Sequence, residues 1–162
     1  MPATAEDPRQ PGPALLCFDG SEDAAAALAA AATLVGSGPA VVLTVWEPFR
    51  VWEPYDPATV VSVPLARLAS HELRFDEVAQ DAARQKNETG VTRARAAGLD
   101  ATGRVSGGKT WRAICEVADE LDARVIVVGA RGLGRIESAL LGSVSSAVVT
   151  HARRPVLVVP HH

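Results

Sequence analysis

Residues 124–146 constrain the fold of this chain more than any other stretch, because a buried strand, a glycine-rich loop and a helix follow one another there. The stretch opens with four β-branched apolar residues, a pattern that favours a parallel strand buried on both faces. Glycines follow at positions 129, 132 and 142, and Ser143 is a good N-cap for a helix that runs to His151. Because a helix N-terminus carries unpaired N–H groups and a partial positive charge, this order predicts an anion site, above all for phosphate. A loop whose glycines serve only its turns is the alternative.

The rest of the 162-residue chain alternates short apolar runs with helical patterns, which is typical of a single α/β domain. The predicted strands cover residues 14–18, 41–46, 99–105, 125–128 and 156–159. The predicted helices are 22–35 behind an N-cap at Ser21, 65–97, one capped by Thr110, and 143–151. Short connections between such elements imply right-handed crossovers and an open parallel sheet with helices on both faces.

Three segments fall outside this alternation of residues 14–160. Residues 1–13 are rich in proline, so we expect a flexible N-terminal arm, and residues 161–162 are a short tail. Residues 47–66 form an irregular insert of prolines and aromatic residues, which either packs down as a lid or forms a contact surface. The helix after this insert is expected to bury one apolar face, formed by Leu68, Phe75, Val78 and Ala82.

The glycine spacing in the second half of the chain is G-x2-G-x9-G-[ST], and its four fixed positions are Gly129, Gly132, Gly142 and Ser143. This spacing resembles the nucleotide-binding signature of the universal stress protein family. Residues 19–21, Asp-Gly-Ser, and residues 155–159, Pro-Val-Leu-Val-Val, resemble two further motifs of that family. The resemblance extends from residue 14 to residue 159, which is almost the whole chain.

The resemblance implies the adenine nucleotide alpha hydrolase-like fold, an open five-stranded parallel sheet in the order 3-2-1-4-5. In this order, the direction in which the chain adds strands to the sheet reverses between strands 1 and 4. Ligands of open α/β sheets bind at such a point. The resemblance also implies that Asp19 contacts the nucleotide and that Val45 contacts adenine. The expected ATP site combines strand ends with the loop, and its residues are Cys17, Phe18, Asp19, Val45, Val128, Gly129, Arg131, Gly132, Gly142, Ser143, Val144 and Ser145.

The chemistry of these residues suggests their roles. The expected phosphate donors are backbone N–H groups, those of Arg131, Gly132, Ser143 and Val144. The hydroxyls of Ser143 and Ser145 can add hydrogen bonds, and the Arg131 guanidinium can pair with phosphate. Asp19 can hold a ribose hydroxyl or a Mg²⁺ ion that accompanies the triphosphate. An Asx turn that merely starts the first helix is the alternative for Asp19.

A competing phosphate-binding pattern lies earlier in the chain. Residues 103–110 match G-x-x-x-x-G-K-[ST], the P-loop pattern, and a helix follows them. The context is poor, because Gly103 falls inside a predicted strand that also carries Asp100 and Arg104. A P-loop begins instead after a strongly apolar strand. A P-loop phosphotransferase is therefore the weaker alternative.

Candidate catalytic groups are few in this sequence. The histidines have no evident Ser or Cys partner, and neither H-E-x-x-H nor a zinc-binding Cys/His spacing occurs. We therefore expect an ATP-binding regulatory or sensory module of the stress response, with at most slow ATP hydrolysis. A nucleotide-free interaction module on the same fold is the alternative. The pattern does not distinguish ATP from ADP or a cyclic nucleotide.

Composition limits the partners of the chain. A net charge of −3 with 22% charged residues does not suggest a nucleic-acid footprint, and no apolar run reads as a membrane span. The N-terminal residues lack the apolar core of a signal peptide, and Cys17 and Cys115 resemble buried thiols of a reducing compartment, so we expect a cytoplasmic protein.

The last predicted strand would be an exposed apolar edge in a monomer, and such edges invite pairing with another chain. The family resemblance implies that this strand pairs with its symmetry mate across a two-fold axis, which makes a homodimer. The expected interface residues are Val156, Leu157, Val158 and Val159. A protein partner that reads the nucleotide-dependent surface is also expected.

Overall fold

The computed structural model describes residues 12–36, 38–48, 65–131 and 141–160, and leaves out the side chains of residues 65–73. Strands and helices alternate along the chain. They are β1 (Ala14–Cys17), α1 (Glu22–Leu34), β2 (Pro39–Trp46), α2 (Leu65–Ala96), β3 (Asp100–Gly107), α3 (Thr110–Glu120), β4 (Val125–Gly129), α4 (Ser143–His151) and β5 (Val156–Val159).

The five strands form one parallel sheet in the order β3-β2-β1-β4-β5. This confirms the predicted open sheet and its strand order. The central strand β1 is paired on both sides, with Leu16 opposite Val42 of β2 and Val127 of β4. The direction in which successive strands are added to the sheet therefore reverses between β1 and β4. The carboxyl ends of these two parallel strands lie side by side.

Neighbouring residues of β1 face opposite sides of the sheet, which divides the core into two layers. Leu16 packs with α1 and α2, whereas Leu15 packs with α3 and α4. Both leucines are fully buried, and burial of such a side chain stabilises the fold by about 1.5–3 kcal/mol. In α1 the buried side chains are mostly alanines, whose small size lets the helix lie close to the sheet.

The predicted apolar face of α2 is wrong where its side chains are described. Phe75 and Val78 are 54% and 68% exposed, and Ala82 is also exposed. A helix of 32 residues is about 48 Å long, whereas an eight-residue strand spans only about 26 Å. The helix therefore extends beyond the sheet, and among residues 74–96, whose side chains are described, the buried positions are Ala83, Asn87, Gly90 and Ala94.

The predicted N-caps have mixed outcomes. Ser21 is confirmed as the N-cap of α1, because its Oγ accepts the Ala24 N–H at 3.1 Å. Thr110 is wrong as an N-cap, because α3 begins at this residue and Lys109 occupies the cap position. The Thr110 N–H and hydroxyl instead donate to Glu47, which directly follows β2.

Candidate functional site

A cavity of about 200 Å³ opens at the carboxyl ends of β1 and β4, where the strand order reverses. Helices that follow neighbouring strands begin around such a crevice, so their N-termini and the strand ends surround it together. Here the first turns of α1, α3 and α4 all contribute lining residues. The fold therefore gathers three helix starts around one opening.

Eleven of the twelve residues predicted for the ATP site line this cavity; Gly132, the twelfth, lies outside the described residues. The eleven are Cys17, Phe18, Asp19, Val45, Val128, Gly129, Arg131, Gly142, Ser143, Val144 and Ser145. Sequence reasoning missed four further lining residues, Ala24, Leu43, Thr110 and Ile114. Thr110 and Ile114 are one helical turn apart at the start of α3, so they lie on the same face of that helix. This spacing, at a helix start that directly follows a predicted strand, is the signal that could have revealed them.

The inner wall of the cavity is apolar. Leu43, Ile114 and Val128 line it and are each at most 3% exposed. The Cys17 thiol belongs to the same wall. Its pKa is raised far above the ordinary value, first by burial and then by Cys115 and Asp19, so it stays a neutral thiol at physiological pH. This wall therefore suits a flat, uncharged group such as a nucleobase.

The polar rim of the cavity is the start of α4. Ser143 is wrong as the N-cap, because the helix begins at this residue and the extended Gly142 precedes it as the cap. A glycine cap has no side chain to accept the first-turn N–H groups. The first backbone hydrogen bond of the helix is donated by the Ser146 N–H to the Gly142 carbonyl. The N–H groups of Ser143, Val144 and Ser145 therefore have no acceptor within the helix. The arrangement is suited to an anion.

Hydrogen bonds hold the two described ends of the glycine loop together. The Gly142 N–H donates to the Ala130 carbonyl at 2.7 Å, and the Ala130 N–H donates to the Val159 carbonyl at 2.8 Å. The buried Ser145 hydroxyl donates to the Gly129 carbonyl at 2.7 Å. The proton of this hydroxyl therefore serves the loop in the structure, and the predicted bond to phosphate would require it to change partner.

The Arg131 N–H is also engaged. It donates to Oδ2 of Asp23 at 3.1 Å, although the sequence suggested that it would donate to phosphate. Asp23 lies in the first turn of α1, and its backbone packs tightly against the end of β4. A Cβ placed on Gly129 would lie 2.9 Å from the carbonyl carbon of Asp23, so only glycine permits this approach. The contact fixes α1 against the loop.

Asp19 lines the cavity and forms the Asx turn that was its alternative interpretation. Its Oδ1 accepts the Ser21 N–H at 2.9 Å, which orders the start of α1. A carboxylate has about four acceptor positions, so this one bond leaves capacity for a ligand hydroxyl or a hydrated cation. The two interpretations of Asp19 are therefore compatible.

A buried polar network holds the end of β1 in place. The Thr44 hydroxyl donates to the Phe18 carbonyl at 2.9 Å, directly before Asp19. The buried Asn87 amide of α2 donates to Thr44 Oγ1 and to the Val42 and Arg104 carbonyls, at 2.8–3.2 Å. Because buried polar groups that are fully paired rigidify their surroundings, the network positions one rim of the cavity.

The P-loop alternative conflicts with the structure. Residues 103–107 are extended within β3 and pair in register with β2, so they form no loop that could surround a phosphate. Gly103 is required by packing, because a Cβ there would lie 2.2 Å from Asn87 Oδ1. The match to the P-loop pattern is therefore a coincidence of strand and turn glycines.

Two kinds of feature are absent from the described residues. Within residues 12–36, 38–48, 65–131 and 141–160, no three His, Cys, Asp or Glu side chains are grouped as a metal site. In the same part of the chain, no helix has the length and apolar character needed to cross a membrane.

The open parallel sheet in the order β3-β2-β1-β4-β5, with helices on both faces, is the adenine nucleotide alpha hydrolase-like fold. A profile described as the Universal stress protein family matches residues 12–160, and the chain belongs to that family.

Known proteins agree with this assignment. Universal stress protein G from Shigella flexneri is 37% identical over 98 residues, which are 60% of this chain and 68% of that protein. The solved structure of universal stress protein UspA from Lactobacillus plantarum is 25% identical, covers 93% of this chain and 98% of its own, and has a TM-score of 0.61. A universal stress protein solved in complex with cAMP is also 25% identical, with coverages of 93% and 98% and a TM-score of 0.58.

Proposed function

We propose that this chain binds an adenine nucleotide in the cavity between β1 and β4, and that ATP accompanied by Mg²⁺ is its ligand. The observation that carries the proposal is the meeting of an apolar wall and a glycine-capped helix start around one cavity. Those two surfaces complement the two ends of a nucleotide, since a base is flat and apolar on its faces and a phosphate is anionic.

The residues present fit such a ligand. Leu43, Ile114 and Val128 would hold the base by burying apolar surface. The first-turn N–H groups of α4 would hold phosphate, with the Arg131 side chain as a charge-assisted donor. Asp19 would bind a ribose hydroxyl or a water of Mg²⁺. The relative solved with cAMP supports an adenine ligand, and cAMP and ADP are the direct competitors of ATP for this assignment.

We further propose that nucleotide binding serves regulation and not rapid catalysis. The cavity residues donate hydrogen bonds and bury apolar surface, and the Cys17 thiol is held neutral, which is the inert form of the side chain. A bound nucleotide would change the surface around the α4 start, and a protein partner in the cytoplasm would read that surface. Slow ATP hydrolysis is compatible with this role.

Isothermal titration calorimetry tests the proposed function. The full chain is titrated with ATP in Mg²⁺, then with ADP, cAMP and GTP. We expect ATP to give a measurable heat of binding and a stoichiometry of one nucleotide per chain. GTP should bind at least about tenfold more weakly, because its base presents different polar groups to the cavity wall. Absence of binding by every adenine nucleotide at millimolar concentration would overturn this proposal and favour the nucleotide-free interaction module.

We also propose a homodimer formed through β5. This strand is at the edge of the sheet, and Val156, Leu157 and Val158 remain partly exposed in the isolated chain. Unpaired edge groups next to apolar side chains favour pairing with a second copy. The double variant Val156→Asp with Val158→Asp should elute as a monomer in size-exclusion chromatography with light scattering. Val149→Asp, an exposed site on α4, is the control and should stay dimeric. A double variant that folds and stays dimeric excludes this interface.

A further inference from the structure

A carboxylate of the chain itself is hydrogen-bonded to a residue that lines the cavity, beside the start of α4. Asp23 Oδ2 accepts the Arg131 N–H at 3.1 Å, and Arg131 lines the cavity next to the start of α4. The side chain of Asp23 is half-buried, so water screens its charge less than that of a fully exposed residue. One anion is therefore already bound at the place where the site offers donors to another.

The carboxylate cannot withdraw far from this position. Ser21 caps α1 just before Asp23, and the Asp23 backbone packs against Gly129 with no room for a Cβ. The helix start and the strand end are thus locked together, and only rotation of the Asp23 side chain is available. A phosphate that approaches the loop meets either the carboxylate on its donor or the same charge a few ångströms away.

We propose that Asp23 is a specificity-determining residue that competes with the phosphates of the nucleotide and makes affinity depend on their net charge. This inference rests on the proposed adenine-nucleotide site. Because like charges at this range repel, the carboxylate disfavours metal-free ATP most, cAMP less and uncharged adenosine not at all. A divalent cation bound to the triphosphate neutralises part of its charge, so the complex with Mg²⁺ is disfavoured less than free ATP.

Asp23→Asn removes the charge and keeps the observed contact, because the asparagine oxygen can still accept the Arg131 N–H. Glu22→Gln is the matched control. Glu22 is the neighbouring acid in the same first turn of α1, it is exposed, and its removal changes the net charge by the same amount. Each protein is titrated by calorimetry with adenosine, cAMP, ATP in EDTA, and ATP in excess Mg²⁺.

For Asp23→Asn we expect metal-free ATP to bind about tenfold more tightly, cAMP about two- to threefold more tightly, and adenosine with unchanged affinity. The gain for ATP should shrink in Mg²⁺. Glu22→Gln should change each affinity by less than about twofold, because salt screens an exposed charge. Asp23→Ser, which also removes the charge and keeps an acceptor oxygen, replaces Asp23→Asn if thermal unfolding shows that the latter does not fold.

Three results would overturn the inference. They are an unchanged or weaker ATP affinity in the folded variant, an equal gain for adenosine and ATP, and an equal effect of Glu22→Gln. These failures leave the proposed function intact, because the wild-type chain still binds its ligand. If neither the wild-type chain nor the variant binds any of the four ligands, adenosine included, the proposed function fails together with the inference.

Discussion

Two segments of this chain have the glycines and the following helix of a phosphate loop, and the structure gives them opposite surroundings. In the first glycine segment, residues 103–110, the pattern begins inside β3 and stays extended to Gly107. In the second glycine segment, residues 129–143, β4 ends at the first glycine and the cavity begins there. Both segments contain glycines and precede a helix, but only the second segment leaves the sheet where its pattern starts.

The helix starts differ as well. In α3 the Thr110 N–H and hydroxyl both donate to Glu47 Oε1, at 3.0 and 2.7 Å, so a carboxylate of the chain already occupies that N-terminus. In α4 the cap is a glycine, and the first three residues of the helix line the cavity. A glycine pattern therefore identifies an anion site only when the strand ends at the pattern and the helix start lacks an anionic cap of its own.

The largest expected effect separates the two segments by ligand binding. Ser143→Asp adds a negative charge at the first residue of α4, where it stabilises the helix but repels phosphate, so ATP should bind about 100-fold more weakly. Lys109→Ala in the first segment should change the affinity by less than about twofold, since this exposed side chain lies outside the cavity lining.

Calorimetry with ATP measures both variants, and Ser146→Asp controls for charge one turn further along the exposed face of α4. The assignment of the two segments would have to be exchanged if Lys109→Ala abolished binding and Ser143→Asp preserved it.

A second substitution tests the strand character of the first segment. Gly103→Ala places a methyl group 2.2 Å from Asn87 Oδ1, so we expect the free energy of unfolding to fall by about 1–3 kcal/mol. In an Asn87→Ala background the same change should cost less, because the clashing oxygen is gone. Urea unfolding of the wild type, the two single variants and the double variant completes the double-mutant cycle. Additive costs, or a loss of ATP affinity without a loss of stability, would contradict the structural role of Gly103.

The smallest effect concerns the anionic cap of α3. The pKa of Glu47 is lowered, mainly by the Thr110 N–H, then by the Thr110 hydroxyl, with a further contribution from Lys109. A lowered pKa means that the folded state favours the carboxylate, so its contribution is complete above the ordinary value of 4.5 and is lost as pH falls through the folded pKa.

Glu47→Gln should therefore lower the free energy of unfolding by about 0.5 kcal/mol near pH 7, the low end for a helix cap because Glu47 is exposed. Urea unfolding between pH 7 and pH 3 should show the difference from wild type disappearing on the acid side. A difference that persists at the acid end would mean that the charge of Glu47 is not the cause.

The sequence was most informative where one pattern serves one structural purpose. Residues 143–151 and 156–159 were predicted with the bounds that α4 and β5 have, because a polar start, an apolar periodicity and a proline mark them clearly. The strand order came from the family resemblance, and the convergence of Asp19 with the glycine loop followed from that order. Local patterns and topology together thus placed the candidate site.

The sequence was least informative about contacts between distant elements. The Asp23 carboxylate and the Arg131 N–H are 108 positions apart, and no local pattern indicates that they meet. The buried face of α2 was misread for a related reason. Apolar periodicity shows that Phe75 and Val78 share a side of the helix, but not that the helix extends beyond the sheet at that point. Both facts depend on the dimensions of the assembled fold.

Asn87 has a consequence for the compartments in which this fold can exist. Asn87, Glu88 and Thr89 form the triplet that accepts N-linked glycans. The same amide nitrogen donates to the Val42 and Arg104 carbonyls and is sealed beneath α2, with Asn87 only 6% exposed. A sugar on that nitrogen and the packed helix exclude each other. The chain can therefore be glycosylated at this triplet or folded, but not both, and passage through a glycosylating secretory pathway would trap it before α2 docks.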